Sequence, residues 1–480
     1  MAALWHDDET MLRRSTLAIL LSFVAANLIL PAPTRAAGPA ANRFLIRGNI
    51  VTPDGMVTNG WLDIRSGRIL HIQRDRPDVT DVPTLETTDL ILPGFIDLHN
   101  HPAYNLFPRW TPPHNYANRY EWRDSDVYRK TLEAPESALS YDASNFCDID
   151  EYVEVKALIG GTTSMIGLSA PYSPKGLPDC VKGLVRNLGL YSGFYYSQGS
   201  ERIVNSIGIL ARDMDANSAA RDAQSLVDGS IDLLAIHIAE GLPTDAESAQ
   251  ELDMLDAHGL LTSHTALIHA VGLSPSQVAR VHRVGASIVW SPRSNFELYG
   301  ATANVSAWFR EGVTISLAPD WSPTGSDNMF DEIKYASGVS RDKLSGLFSS
   351  RQLVEMASSV PARVAHIDDK VGTLSAGMLA DFFLVHPGNA TVTNNPYDAI
   401  VAGKVTDIDL VVIDGIPTYG QPDMLQKLNV KTEALSICGS NRALNSDALP
   451  NGPYSQVTAR LSEKIKALGS ELAPLTECIQ

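Results

Sequence analysis

The sequence predicts an α/β protein: a (β/α)8 TIM-like barrel joined to a small β-sandwich formed from both chain ends. Three observations carry this. Short apolar strand-like runs alternate with helical patterns over roughly 270 residues, the rhythm of parallel βα units. Both flanks read instead as alternating strands and turns. The chain has 480 residues, enough for one large domain and a smaller one.

Residues 1–37 are set apart as a signal peptide. "MLRRSTLAILLSFVAANLILPAPTRAAG" (11–38) has two arginines, an apolar run from Leu17 to Leu30, and small residues at Ala36 and Ala37. The run is about 14 residues, short of the roughly 20 that a bilayer span needs. The expectation is an exported protein, periplasmic or secreted, with no membrane contact after cleavage. Arg13-Arg14 leaves a twin-arginine route open, and a retained anchor is the rival reading.

Residues 38–92 form the first part of the sandwich. "RFLIRGNIVT" and "GWLDIRSGRILHIQ" are strands, and Arg65-Ser66-Gly67-Arg68 is a tight turn between alternating runs. The barrel spans 93–370. Its first strand lies at 91–99. "GGTTSMIGL" (160–168), "LGLYSGFYYSQ" (188–198), "IDLLAIHIAE" (231–240), "TALIHAVGL" (265–273), "GASIVWSP" (285–292) and "GVTISLAPD" (312–320) follow, with "RIVNSIGIL" (202–210) as the fourth. Helical patterns include 246–259 and 274–285. Residues 371–420 return to the sandwich, and 421–480 are a packing appendage ending in a helical run.

The formal net charge of −17 argues against nucleic acid or an anionic membrane as a partner, because no basic excess is available to meet either. The charge otherwise indicates solubility and not chemistry, and a homo-oligomer is compatible with the sequence. Cys147, Cys180, Cys438 and Cys478 are an even number in an exported chain. None has C-x-x-C spacing. Proximity suggests Cys147–Cys180 and Cys438–Cys478; two other pairings, or free thiols, stay open.

"LPGFIDLHNHPAYN" (91–104) raises the chemical question, because His99 and His101 sit two apart at the end of an apolar run. Residues i and i+2 of a strand share a side, so both imidazoles converge on one point, where a metal ion is the obvious occupant. Solvated loop histidines are the alternative. Further polar groups fall at predicted strand ends: His237 and Glu240, His269, and Asp320. In a parallel barrel these ends meet at one face, where active sites sit. Neutral imidazoles with one carboxylate suit zinc or ferrous iron and leave a position for water.

"PGFIDLHNH", "HIAEG", "IHAVGL", "SPRSNFELYG" and "APDWSPTGSDNM", in that order, resemble the successive motifs of the amidohydrolase superfamily. They are most similar to its mononuclear cytosine deaminase, guanine deaminase and triazine hydrolase branch. The resemblance covers about 43–420. It implies one divalent metal, zinc or else iron, held by His99, His101, His237 and Asp320. Glu240 would be the proton shuttle, His269 the group that polarises the substrate, and Asp320 a proton acceptor. Binuclear members carry a bridging lysine on strand four. Lys156, Lys175 and Lys182 lie upstream of that region and no Lys occurs between Lys182 and Lys334, so a mononuclear site follows. Trp321 stands where the family has glycine and narrows the pocket.

Trp110, in a loop that also holds Tyr104, Tyr116, Tyr120 and Trp122, is a candidate to stack a planar substrate. Ser291 and Asn295 are further candidate contacts. The expected reaction is hydrolysis of a C–N bond, by deamination or by cleavage of a cyclic amide or amidine. The rivals are the same site acting on a C–halogen or ester/lactone bond, and a non-catalytic binding barrel.

Overall fold

The structure, a computed structural model, describes residues 43–167, 180, 183–189, 203–206, 214–388 and 395–478. The signal segment and most of the strand expected at 188–198 lie outside them. Among the described residues no helix is long and apolar enough to cross a membrane.

Four strands open the chain: β1 (Arg43–Thr52), β2 (Gly55–Arg65), β3 (Arg68–Gln73) and β4 (Thr84–Pro93). The expected turn joins β2 to β3, with Ser66 and Gly67 both at positive φ (51° and 81°), the hairpin geometry whose twist matches its strands. The single strand expected at 91–99 is two. Pro93-Gly94 ends β4 and starts β5 (Phe95–Asp97) in a different sheet. Gly94 is required here, because a Cβ would lie 2.1 Å from Thr163 Oγ1.

Seven further strands run parallel to β5 or to one another: β6 (Thr162–Met165), β7 (Arg186–Asn187), β8 (Ile203–Ser206), β9 (Leu233–Ile238), β10 (Thr265–His269), β11 (Ser287–Trp290) and β12 (Ile315–Leu317). They form two sheets, β5-β6-β7 and β12-β11-β10-β9-β8. The sheets meet where Asn100 bridges Asp320 in parallel, with His101 N donating to Asp320 O (3.1 Å) and Asp320 N to His99 O (3.1 Å). One apolar cluster gathers a side chain from each of the eight: Ile96, Ile203, Ala235, Ile268 and Val289 from within strands, Ile166, Leu188 and Ala318 just beyond them. Leu234, Ile236 and Leu267 alternate into a second cluster. That two-residue alternation gives the strands one face toward their shared core and one toward the helices.

The helices begin where the sequence signals them. Asp245 accepts the Ser248 N–H (3.0 Å) ahead of the helix Ala246–Ala257. Ser274 and Gln277 form a capping box for Pro275–Val284, which stops at Gly285 in the left-handed region.

Both chain ends supply one sheet of nine strands, in the order β16-β17-β15-β14-β13-β4-β1-β2-β3. Its C-terminal members are β13 (Phe382–Val385), β14 (Ile408–Ile413), β15 (Ile416–Gly420), β16 (Thr432–Ile437) and β17 (Ser440–Asn445). The segment 421–480 is therefore more than a packing appendage, since its hairpin β16–β17 extends the sheet from β15. Thr432–Ile437 alternates exposed and half-buried positions, a two-residue period that marks a strand. The helical run after it is Tyr454–Ala467. Arg186 ties β7 to this sheet through Asp381 (2.6 and 2.9 Å) and Asp414 (3.0 Å).

Cys147 pairs with Cys180 and Cys438 with Cys478. The second bond links the β16–β17 turn to the chain end across 40 residues. Replacing Cys438 and Cys478 together by serine is expected to lower unfolding stability by about 4 kcal/mol on the chain-entropy account. A denaturant midpoint unchanged from wild type would show that the bond does not form in the isolated protein.

Candidate active site

The expected strand-end residues meet on one side of the parallel sheets. His237 follows Ala235 by two and so shares its inner face. His269 directly follows the inward Ile268, and a regular strand would turn it outward. Its φ of 66° reverses that direction, as φ values of 47° at Ala239 and 68° at Asp320 turn the chain at two other strand ends. Non-glycine residues adopt this conformation at a cost, and such positions cluster at functional sites. At Ala239 the buried Glu251 of the following helix accepts the backbone N–H (2.6 Å).

Four ligand atoms converge. His99 Nε2 lies 3.1 Å from His237 Nε2 and 3.1 Å from Asp320 Oδ1. His101 Nε2 lies 3.2 Å from His237 Nε2 and 3.4 Å from the same carboxylate oxygen. A tetrahedron with metal–ligand bonds of about 2.0–2.1 Å has edges of about 3.3–3.4 Å, so this donor set fits a zinc-sized ion. The histidines are in the ligating form: burial lowers His99, takes His237 well below the ordinary imidazole value and pushes His101 down to about 3. Burial acts to raise Asp320, but His99 beside it, then His269 and His101, hold it ionised.

Neighbours fix each ligand. Ser291 Oγ lies 2.9 Å from His99 Nδ1, which keeps Nε2 toward the cluster. Ser294 Oγ donates to Asp320 Oδ2, leaving Oδ1 for the histidines. Asp97 accepts His99 N–H (3.0 Å) and Asn100 Nδ2 (2.6 Å); burial raises its carboxyl to about 7. Asn100 continues to Asn105, and Asn105 to the Ser322 N–H, joining the ends of β5 and β12. Asp97, Asn105 and Ser294 were not singled out from the sequence, although Asp97 lies inside "GFIDLHNH" and marks its strand end.

Beside the cluster is a cavity bordered by His101, His237, Glu240, His269, Asp320 and Trp321 among others. His269 Nδ1–H donates to Asn295 Oδ1 (2.7 Å), so its Nε2 lone pair points away, 3.7 Å from Glu240 Oε1 and 3.9 Å from Asp320 Oδ2. Glu240 accepts from Tyr299 OH (2.7 Å), which accepts from Trp122 Nε1 (2.8 Å). Burial and Glu240 raise the Tyr299 phenol, so it remains a donor. Tyr299, at the end of the helix Pro292–Tyr299, is a further residue the sequence did not expose.

Ser291 and Asn295 are thus in contact with His99 and His269, one layer behind the cavity. Trp110 also sits back, packed on Tyr116, Trp122 and Tyr128. Of its loop, Tyr104 and Trp122 border the cavity, together with Tyr128 and Trp321. Lys156 is buried away from the cluster, its Nζ on Asp327 (3.0 Å) and Pro474 O (2.9 Å). Lys175 and Lys182 lie outside the described residues.

Tyr299→Phe should lower kcat by roughly ten-fold with KM little changed, because the hydrogen bond that positions Glu240 is lost without loss of volume. Unchanged kcat would show that the Tyr299 hydroxyl does not position Glu240.

Residues 211–416 match the amidohydrolase family. Over that stretch the chain is similar to that family. A 5-methylthioadenosine/S-adenosylhomocysteine deaminase of Acetivibrio thermocellus is 21% identical over 415 residues, covering 78% of this chain and 93% of the relative. Among solved structures, an atrazine chlorohydrolase from Arthrobacter aurescens TC1, complexed with zinc, superposes with a TM-score of 0.64 at 15% identity, over 88% of this chain and 100% of its own. An adenosine deaminase from Xanthomonas campestris, with bound zinc, gives 0.64 at 15% identity, over 89% and 98%. At these identities the superpositions speak to the fold.

Proposed function

We propose that this protein is an exported, mononuclear metal-dependent hydrolase that cleaves a C–N bond of a small molecule, by deamination or by cyclic amide or amidine hydrolysis. The convergence of three neutral imidazoles and an ionised carboxylate at the edge of a cavity shared with Glu240 carries this reading. The deaminase relatives support the C–N bond, and the two disulfides support export. The cluster fed by all eight parallel strands supports a closed (β/α)8 barrel. Lys156, committed to Asp327, supports a single ion.

His99, His101, His237 and Asp320 would hold the ion, zinc in preference to iron. When bound, it supplies Lewis-acid activation of water. His269 accepts a proton at Nε2 in the tautomer that Asn295 fixes, and polarises substrate only once that proton is on. Glu240, held through Oε1 by Tyr299, takes the proton released by the attacking water and delivers it to the leaving nitrogen. Trp321 and Trp122 give a planar substrate an apolar wall and exclude water from it.

The test is zinc-loaded protein on a panel of cyclic amidines, amides, esters and aryl chlorides, scored for ammonia, acid and chloride. Ammonia from an amidine supports deamination. Chloride or carboxylic acid from an ester without nitrogen release would replace the C–N assignment, and tight binding with no turnover would favour a binding protein.

A further inference from the structure

The cavity contains a cation that the proton transfers do not use. Arg119 follows Asn118, which bridges Gly241 just beyond β9, and its backbone N–H donates to Glu240 O (2.9 Å). The loop after β5 is thereby pinned beside the proton-transfer group. Arg119 is only 6% exposed, yet it borders the cavity. Its Nη1 is 3.6 Å from Glu240 Oε2, beyond hydrogen-bond range, and Nε and Nη1 have no hydrogen-bond partner among the described residues. Glu240 gives its short contact to Tyr299 instead. A buried guanidinium left this incompletely met is costly, and buried unmet polar groups call for an explanation in function or in a missing ligand.

The other lining groups say what would complete it. Trp122 and Trp321 lie 5.6 Å apart with Tyr104 5.2 Å from Trp321, an aromatic wall suited to a flat ring. Arg123 and Glu133, also bordering the cavity, offset one another. Asp320 and Glu240 balance a divalent ion, which leaves the Arg119 charge in excess. A planar monoanion restores neutrality and matches the flat guanidinium. A dianionic phosphate would meet repulsion from Glu240 beside Arg119 and from Glu133.

We propose that Arg119 forms an anion subsite and that the substrate is a planar ring bearing a carboxylate, held by Arg119 on one side and the tryptophan wall on the other. This rests on the cavity being the active site of a hydrolase. It is read by binding, so its failure is separable from that of the ammonia test.

Benzoate and benzamide share ring and size and differ in charge. Calorimetric titration of the zinc-loaded protein should show benzoate binding about ten-fold or more tighter than benzamide. Arg119→Gln, and Arg119→Met as a second uncharged variant should the first not fold, should lose that preference and keep the benzamide affinity. Equal affinities in wild type would overturn the proposal. So would a benzoate preference that survives in either folded variant, since the carboxylate would then be held by the metal or by Arg123.

Discussion

Glu240→Gln is expected to lose about 100-fold or more in turnover while the metal and the fold stay, the scale of losing a general acid–base group. Glu240 accepts from Tyr299 and faces His269 and Arg119, and neither of its oxygens is among the four that converge. The amide keeps the volume and the hydrogen bond from Tyr299 and removes the transferable proton. The loss should appear in kcat, because the transfer is made in the transition state. A variant that lost metal would make Glu240 a ligand. Full turnover would assign both proton movements to Asp320 and His269.

His99→Ala should lose metal and activity together, from about one zinc or iron per chain to a small fraction of that in elemental analysis. His99 is fully buried and its Nε2 touches both His237 and Asp320, so its removal takes away one corner and unsettles two others. Two tightly bound ions in wild type would sink the mononuclear reading. A variant that kept both metal and turnover would remove His99 from the ligand set. His269 is the group to examine next in that event, since a ring nitrogen of it lies within 4.8 Å of the His99 and His237 donors.

The parts of the fold legible in the sequence were those written as local pattern. The hairpin turn at Ser66-Gly67, the capped helices at 246 and 274, and the strands that lead into His237, His269 and Asp320 each combine a periodicity with a terminating residue. The junction at Pro93-Gly94 was read as continuous strand because both sides are apolar; only the approach of Thr163 shows why the chain must change sheets there. The hairpin at 432–445 was missed because its alternation is weak at a sheet edge. In the site, the residues of the cluster were legible because metal-binding side chains at strand ends are rare otherwise. The residues that aim them were not. Asp97, Ser294 and Tyr299 act through contacts far apart in the chain, and a serine or tyrosine has no spacing that announces such a contact.

Leu90 of β4 pairs in antiparallel register with Val385 of β13, and Leu92 with Phe383. A chain made amino end first therefore presents β4, with Leu90, Ile91 and Leu92 all buried in the finished sheet, long before its partner exists. Until Phe382–Val385 arrives, that strand is an open apolar edge able to pair with another chain. Such long-range pairing is also slow to find. The waiting time of β4 is an aggregation window, and a chaperone that occupies the strand during it should raise the yield of active protein more than any change within the cavity.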